Sequence, residues 1–119
     1  MGDLIDLTDP ETISKVLLEQ KLFDTWHHGR TVLMGDACHK MLPNAGRGAM
    51  NAMMDAISLV NAFYEMKDSS FKSIDQAFKE YYDERYPHAV QDLATSTQMA
   101  KVLAGQVKQQ QQQENAIER

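Results

Sequence analysis

Only one run in the chain, Thr31-Val32-Leu33-Met34, reads as a buried β-strand, being apolar and β-branched and bounded by Gly29 and Gly35. A lone strand cannot form a sheet, because its backbone donors and acceptors need neighbouring strands. No other segment offers a convincing partner. Either this run pairs with something outside the chain or it is not a strand, and the fold class to expect is mainly α with one short buried strand.

The helical signals are clearer. Asp9-Pro10-Glu11 supplies a cap, a proline at the first helical position and an acid in the first turn. Ile13, Val16, Leu17 and Leu22 then form an apolar stripe as far as about Phe23, and Trp26-His27-His28-Gly29-Arg30 reads as the turn that follows. A second helix is expected from Gly48 to about Met66. Its apolar residues fall on two faces, Met53, Ile57, Val60 and Tyr64 on one and Ala52, Ala56, Leu59 and Phe63 on the other, so it should be covered on two sides. Ser73-Ile74-Asp75-Gln76 opens a third helix in a capping-box pattern, with Ala77, Phe78, Tyr81 and Tyr82 at helical spacing. Pro87 should end or kink that helix, and a further one should run from Ala89 to about Val107. Gln109 to Gln113 and the polar residues after it read as a frayed or disordered tail.

The totals narrow the function classes. A chain of 119 residues holds one small domain with a modest core. A net charge of -5 and the absence of a basic patch with interleaved aromatics argue against nucleic acid. The single cysteine, Cys38, and the lack of a signal-peptide pattern point to a reducing, cytoplasmic setting. No apolar run approaches the roughly 20 residues of a membrane helix.

The loop between strand and second helix carries Gly35, Pro43, Gly46 and Gly48, more than an ordinary turn spends, which suggests backbone brought close to a ligand. A metal is not expected there. Asp36, Cys38, His39, His27 and His28 lack a recognised zinc spacing, and adjacent Cys38 and His39 should not converge easily on one ion. Nor does Gly46-Arg47-Gly48 continue into either nucleotide-loop motif. What remains is a helix entrance at 46–49 whose backbone N–H groups and dipole favour an electron-rich ligand edge. Asp36 ends the strand as either a ligand-facing carboxylate or a turn cap. Arg30 and Lys40 read as solvated charges, Asp55 as a helix-face carboxylate, His39 as partly exposed, and Met50, Met53 and Met54 as core.

Taken as one pattern, Gly29-Arg30, the apolar run, Gly35-Asp36-Ala37, His39, Pro43, Gly46-Arg47-Gly48, Asn51 and Asp55-Ala56 resemble the second flavin-binding motif of the FAD-dependent monooxygenases related to para-hydroxybenzoate hydroxylase. Tyr82-Asp83-Glu84-Arg85-Tyr86-Pro87 resembles the helix end that follows in that family. The resemblance implies a carboxyl-terminal fragment of an α/β FAD-binding fold, comprising the motif at 29–56 and a helical region at 48–108, with 109–119 as a polar tail. The family's dinucleotide-binding loop and most of its substrate-binding sheet would then belong to a complementary amino-terminal half, whose sheet would take up the strand at 31–34.

The same resemblance implies a cofactor-binding set of Gly35, Asp36, Pro43, Gly46, Arg47, Gly48, Ala49 and Asn51. Asp36 corresponds to the carboxylate that bonds the ribityl chain of FAD, Pro43 to the proline beside the isoalloxazine ring, and 46–48 to the helix entrance at the pyrimidine edge. Asn51 braces the loop or approaches the flavin. Arg47 departs from the pattern, which usually has Gln there. The implied activity is hydroxylation of an organic, including aromatic, substrate with NAD(P)H and oxygen; no side chain reads as a catalytic acid, base or nucleophile. A non-enzymatic helical interaction module derived from such an enzyme is the alternative.

Overall fold

The structure, a computed structural model, describes residues 7–14 and 16–117. It is mainly helical, with four two-residue strands: β1 (Lys21–Leu22), β2 (His27–His28), β3 (Thr31–Val32) and β4 (His39–Lys40). Helix α1 spans Gly48–Tyr64 and α2 spans Phe71–Ile117.

The strand expected at 31–34 is therefore shorter, and it has a partner within the chain. β3 pairs antiparallel with β2, His27 opposite Val32 and His28 opposite Thr31, across the two-residue turn Gly29-Arg30. Leu33 N–H donates to the Trp26 carbonyl at 2.7 Å and extends the hairpin. The histidines read as turn supply its other strand. A second ladder joins β1 to β4, Lys21 opposite Lys40 and Leu22 opposite His39.

The amino-terminal helix signal yields only a 3-10 turn, Pro10–Thr12. Its cap works as read, with Asp9 Oδ1 accepting from Glu11 N–H at 3.0 Å. Most of the stripe stays unburied, however: Ile13, Val16 and Leu17 are exposed, and only Leu22, in β1, packs against the core. Without tertiary packing, a helix of that length is marginal in water.

The break expected at Pro87 does not occur, for α2 runs through it. Proline there gives up the bond to the Asp83 carbonyl. Helix on both sides is held by the core: Tyr81 and Ala89 are buried, and Tyr82 and Tyr86 pack against Trp26. Helix also continues to Ile117, where a frayed tail was expected; residues 118 and 119 lie outside the described part. Its 47 residues account for the 72 Å long axis of the molecule.

Trp26, read as part of a turn, is the centre of the core. Its ring lies 5.4 Å from His39, 5.6 Å from Tyr81, 5.3 Å from Tyr82 and 5.8 Å from Tyr86. The indole N–H donates to the Phe23 carbonyl at 2.7 Å, so burial leaves no orphaned donor.

Helix α1 begins where expected, but only one of its two apolar faces is partly covered, with Ala52, Ala56 and Leu59 half-buried. Asn51, Asp55, Ser58 and Ala62 are buried against α2, whereas Met50, Met53, Met54, Ile57, Val60 and Tyr64 are exposed. The methionines are thus surface, not core. No described helix is long and apolar enough to cross a membrane.

Candidate functional site

The segment between β3 and α1 is shaped by two short turns, one on either side of β4. Gly35–Ala37 forms the first, with Gly35 in the left-handed region at φ 58°. Pro43–Ala45 forms the second and ends on Gly46 at φ 62°. Gly35 is constrained twice over, since a Cβ there would also sit 3.1 Å from the Ala52 Cβ. Gly35→Ala should accordingly cost about 1–3 kcal/mol, read as a lowered urea midpoint with unchanged slope.

Gly48 presents the opposite case. Its φ is not left-handed, and an added Cβ meets nothing within 4 Å. Neither backbone nor packing among the described residues requires glycine there, so the missing side chain leaves the α1 entrance open. No described side chain caps α1, so its first N–H groups keep their capacity to donate.

Asp36, Met41, Leu42, Pro43, Gly46, Gly48, Ala49 and Ala52 line a cleft of about 470 Å³ at this entrance. Five of the eight residues implied by the resemblance thus come together: Asp36, Pro43, Gly46, Gly48 and Ala49. Asp36 is exposed, and its side chain makes no hydrogen bond to the described residues; it caps neither turn. The other three stand behind the cleft. Gly35 N–H donates to Asp55 Oδ2 at 2.9 Å, Arg47 turns to Asp92, and Asn51 is buried between α1 and α2.

Behind the cleft runs a continuous polar chain. His39 Nε2 meets Asp55 Oδ2 at 2.5 Å, and Asp55 Oδ1 accepts from Arg85 Nε at 2.8 Å. The guanidinium also donates to Asn51 Oδ1 at 2.8 Å, Asn51 Nδ2 donates to Asp92 Oδ2 at 2.8 Å, and Asp92 Oδ1 accepts from Arg47 Nε at 2.8 Å. His39 and Asp55 are 1% and 0% exposed, so neither is the surface group the sequence suggested.

Burial alone would lower the His39 imidazole. The hydrogen bond to Asp55, with Cys38 alongside, outweighs it and holds the group up at about 10. Burial likewise works against the Asp55 carboxylate, but bonds from His39, Arg85 and Gly35 hold it below the usual range. Cys38, His39 and Asp55 do converge, their ligand-type atoms lying within 4.8 Å of one another. Adjacency of Cys38 and His39 is thus no obstacle, contrary to the spacing argument. Both Asp55 oxygens are already committed to nitrogen donors, one of them a guanidinium that would repel a cation.

Asp55, Arg85, Asp92 and Ser96 were not picked out as site residues. A signal existed: Asn51, Asp55 and Ser58 recur at helical spacing and form a polar stripe as regular as the apolar one.

A loop with glycine-opened backbone at an uncapped helix entrance, faced by a carboxylate, defines a site for a ligand with an electron-rich edge and hydroxyl groups. The chain matches the FAD binding domain family over residues 2–111 and belongs to it. Its curated relatives include the FAD-dependent monooxygenase ptmM of Penicillium ochrochloron, 37% identical over 79% of this chain, and paxM of Penicillium paxilli, 52% identical over 50%. The FAD-dependent monooxygenase SAT1 of Stachybotrys chartarum is 34% identical over 85%. The match spans 24%, 13% and 36% of those relatives' own lengths, respectively. No solved structure matches the chain. The cofactor of the family is FAD, and the relatives that the chain matches are FAD-dependent monooxygenases.

Proposed function

We propose that this chain supplies the flavin-facing wall of an FAD-dependent monooxygenase acting on an organic substrate with NAD(P)H and oxygen. The observation that carries the proposal is Gly48, a glycine at the mouth of a cleft that nothing among the described residues requires. FAD, when bound, supplies the redox chemistry. Asp36 accepts hydrogen bonds from the ribityl hydroxyls, and Pro43 lies against the isoalloxazine ring. The N–H groups at 46–49 and the α1 dipole hold the flavin's pyrimidine edge, where negative charge on reduction is stabilised. Gly35, Arg47 and Asn51 keep that wall in place.

A complementary amino-terminal half, bearing the pyrophosphate site, completes the enzyme and covers the exposed methionine and β-branched stripe of α1. By itself the chain takes up FAD weakly and catalyses no NAD(P)H oxidation. The same stripe would also suit a non-enzymatic interaction module, but such a module gives no role to the open glycine entrance.

Gly48→Ala separates the two readings. With no clash to pay for, the substitution should hold or slightly raise thermal stability, since alanine is favoured over glycine in a helix by up to about 1 kcal/mol. FAD affinity should fall on the order of ten-fold, measured by flavin fluorescence with the amino-terminal part of the Penicillium paxilli relative added. Asp36→Ala should lower it similarly. Equal FAD affinity in wild type and both variants, or none in any of them, would refute the flavin reading.

A further inference from the structure

Short backbone bonds alone do not fix the 42–47 loop. Within it, Gly46 N–H donates to the Pro43 carbonyl at 2.9 Å, and Arg47 carbonyl accepts the first helical bond from Asn51 at 3.0 Å. Asn51 Nδ2 adds a bond to the same Arg47 carbonyl at 3.1 Å, and further anchors come from α2. At the start of the loop, Ser96 Oγ donates to the Leu42 carbonyl at 2.6 Å. At its end, Asp92 accepts from both Arg47 and Asn51. Residues 92 and 96 lie one helical turn apart on one face, so a single strip of α2 grips both ends of the loop.

The residue types fit that task better than a packing role. Serine or threonine within a helix commonly bonds the carbonyl four residues back, as Thr95 does to Gln91 and Thr97 to Leu93. Ser96, 1% exposed, instead spends its hydroxyl on the loop. Asp92, 7% exposed, places a carboxylate where burial is costly unless paired, and both of its partners are at the loop's end. The pairing also draws Arg47 away from the cleft, which it does not line.

We propose that Asp92 and Ser96 are positioning residues for the flavin: from α2 they set where the 42–47 loop, and with it Pro43 and the α1 entrance, meets the ring. The proposal rests on the flavin reading of the cleft. It assigns to the long helix a part in cofactor binding without any contact with the cofactor.

The test is backbone 15N relaxation of the full chain as wild type, Ser96→Ala and Asp92→Asn, with Gly46 as reporter and Tyr81 as reference. In each variant the Gly46 order parameter should fall toward the flexible range, below about 0.6, while Tyr81 stays near about 0.85. Ser96→Ala should leave the melting temperature within a few degrees, since alanine raises helix propensity. A Gly46 that stays ordered in both variants overturns the proposal, as does loosening of Gly46 and Tyr81 together. Flavin titration with the amino-terminal part present adds a second arm. Affinity should fall on the order of ten-fold in each variant, and an unchanged affinity despite a loosened loop overturns the positioning role. If wild type takes up no flavin, the cleft reading fails, and whether α2 tethers the loop is decided by the order parameters alone.

Discussion

Asp55→Asn should destabilise the chain by on the order of 3–5 kcal/mol, the range for removing one partner of a buried ion pair. The carboxylate is wholly buried and takes three donors, His39, Arg85 and the Gly35 N–H. Asparagine keeps the shape but withdraws the negative charge that offsets two buried cations. Since small domains are stable by only about 5–15 kcal/mol, a loss of this size removes much of the cooperative transition. Urea unfolding followed by circular dichroism measures it. Lys79→Ala is the control, because the exposed Lys79–Asp75 pair is solvent-screened and should change the midpoint little. A loss for Asp55→Asn no larger than the control's would mean that the polar chain contributes nothing net to folding.

That buried carboxylate also marks where the sequence stops being readable. Periodicity locates α1 well, because a stripe repeating every three to four residues needs a helix whatever lies next to it. It does not say which stripe faces inward. Two stripes are present, and burying apolar surface is the usual solution, so the methionine side reads as core. In this chain the opposing surface of α2 presents Arg85, Asp92 and Ser96, and the polar stripe faces inward because its charges find partners there. Charge complementarity between helices far apart in sequence leaves no local trace. The hairpin was missed for a related reason: a two-residue strand such as His27–His28 is below the length at which alternation can be seen. Pro87 misled because its helix-breaking cost is local, whereas Tyr82, Tyr86 and Ala89 hold the helix through distant contacts with Trp26. The loop itself was legible, since its density of glycine marks backbone drawn close to something, and the resemblance singled out eight residues in and beside it. Their division into Asp36, Pro43, Gly46, Gly48 and Ala49 along the cleft and Gly35, Arg47 and Asn51 behind it needed coordinates.

Stability should fall as pH rises from about 6.5 to about 10, because the fold holds His39 protonated over that window. In the unfolded chain His39 releases its proton near 6.5; in the fold, Asp55 keeps it on to about 10. Between those limits the folded state binds the extra proton. The stabilisation is thus complete below about 6.5 and disappears as pH passes through about 10, with a slope approaching about 1.4 kcal/mol per pH unit. Asp55 acts in the other direction: held below its ordinary value, it contributes above about 3.8 and is lost as pH falls further. Tyr81, raised by burial and by the Asp55 charge, stays neutral in the fold, and because the unfolded tyrosine ionises near 10.0 it adds a slope of the same sign only at the top of the window. Unfolding free energies at pH 6, 7, 8 and 9 measure the effect, and His39→Gln should flatten the profile. Nδ1, which has no hydrogen-bond partner among the described residues, makes the result informative either way. A falling profile means that the ion pair with Asp55 outweighs an unsatisfied donor at Nδ1. A flat one means that His39 is neutral, donating from Nε2 alone, and that Arg85 is the sole cation balancing Asp55.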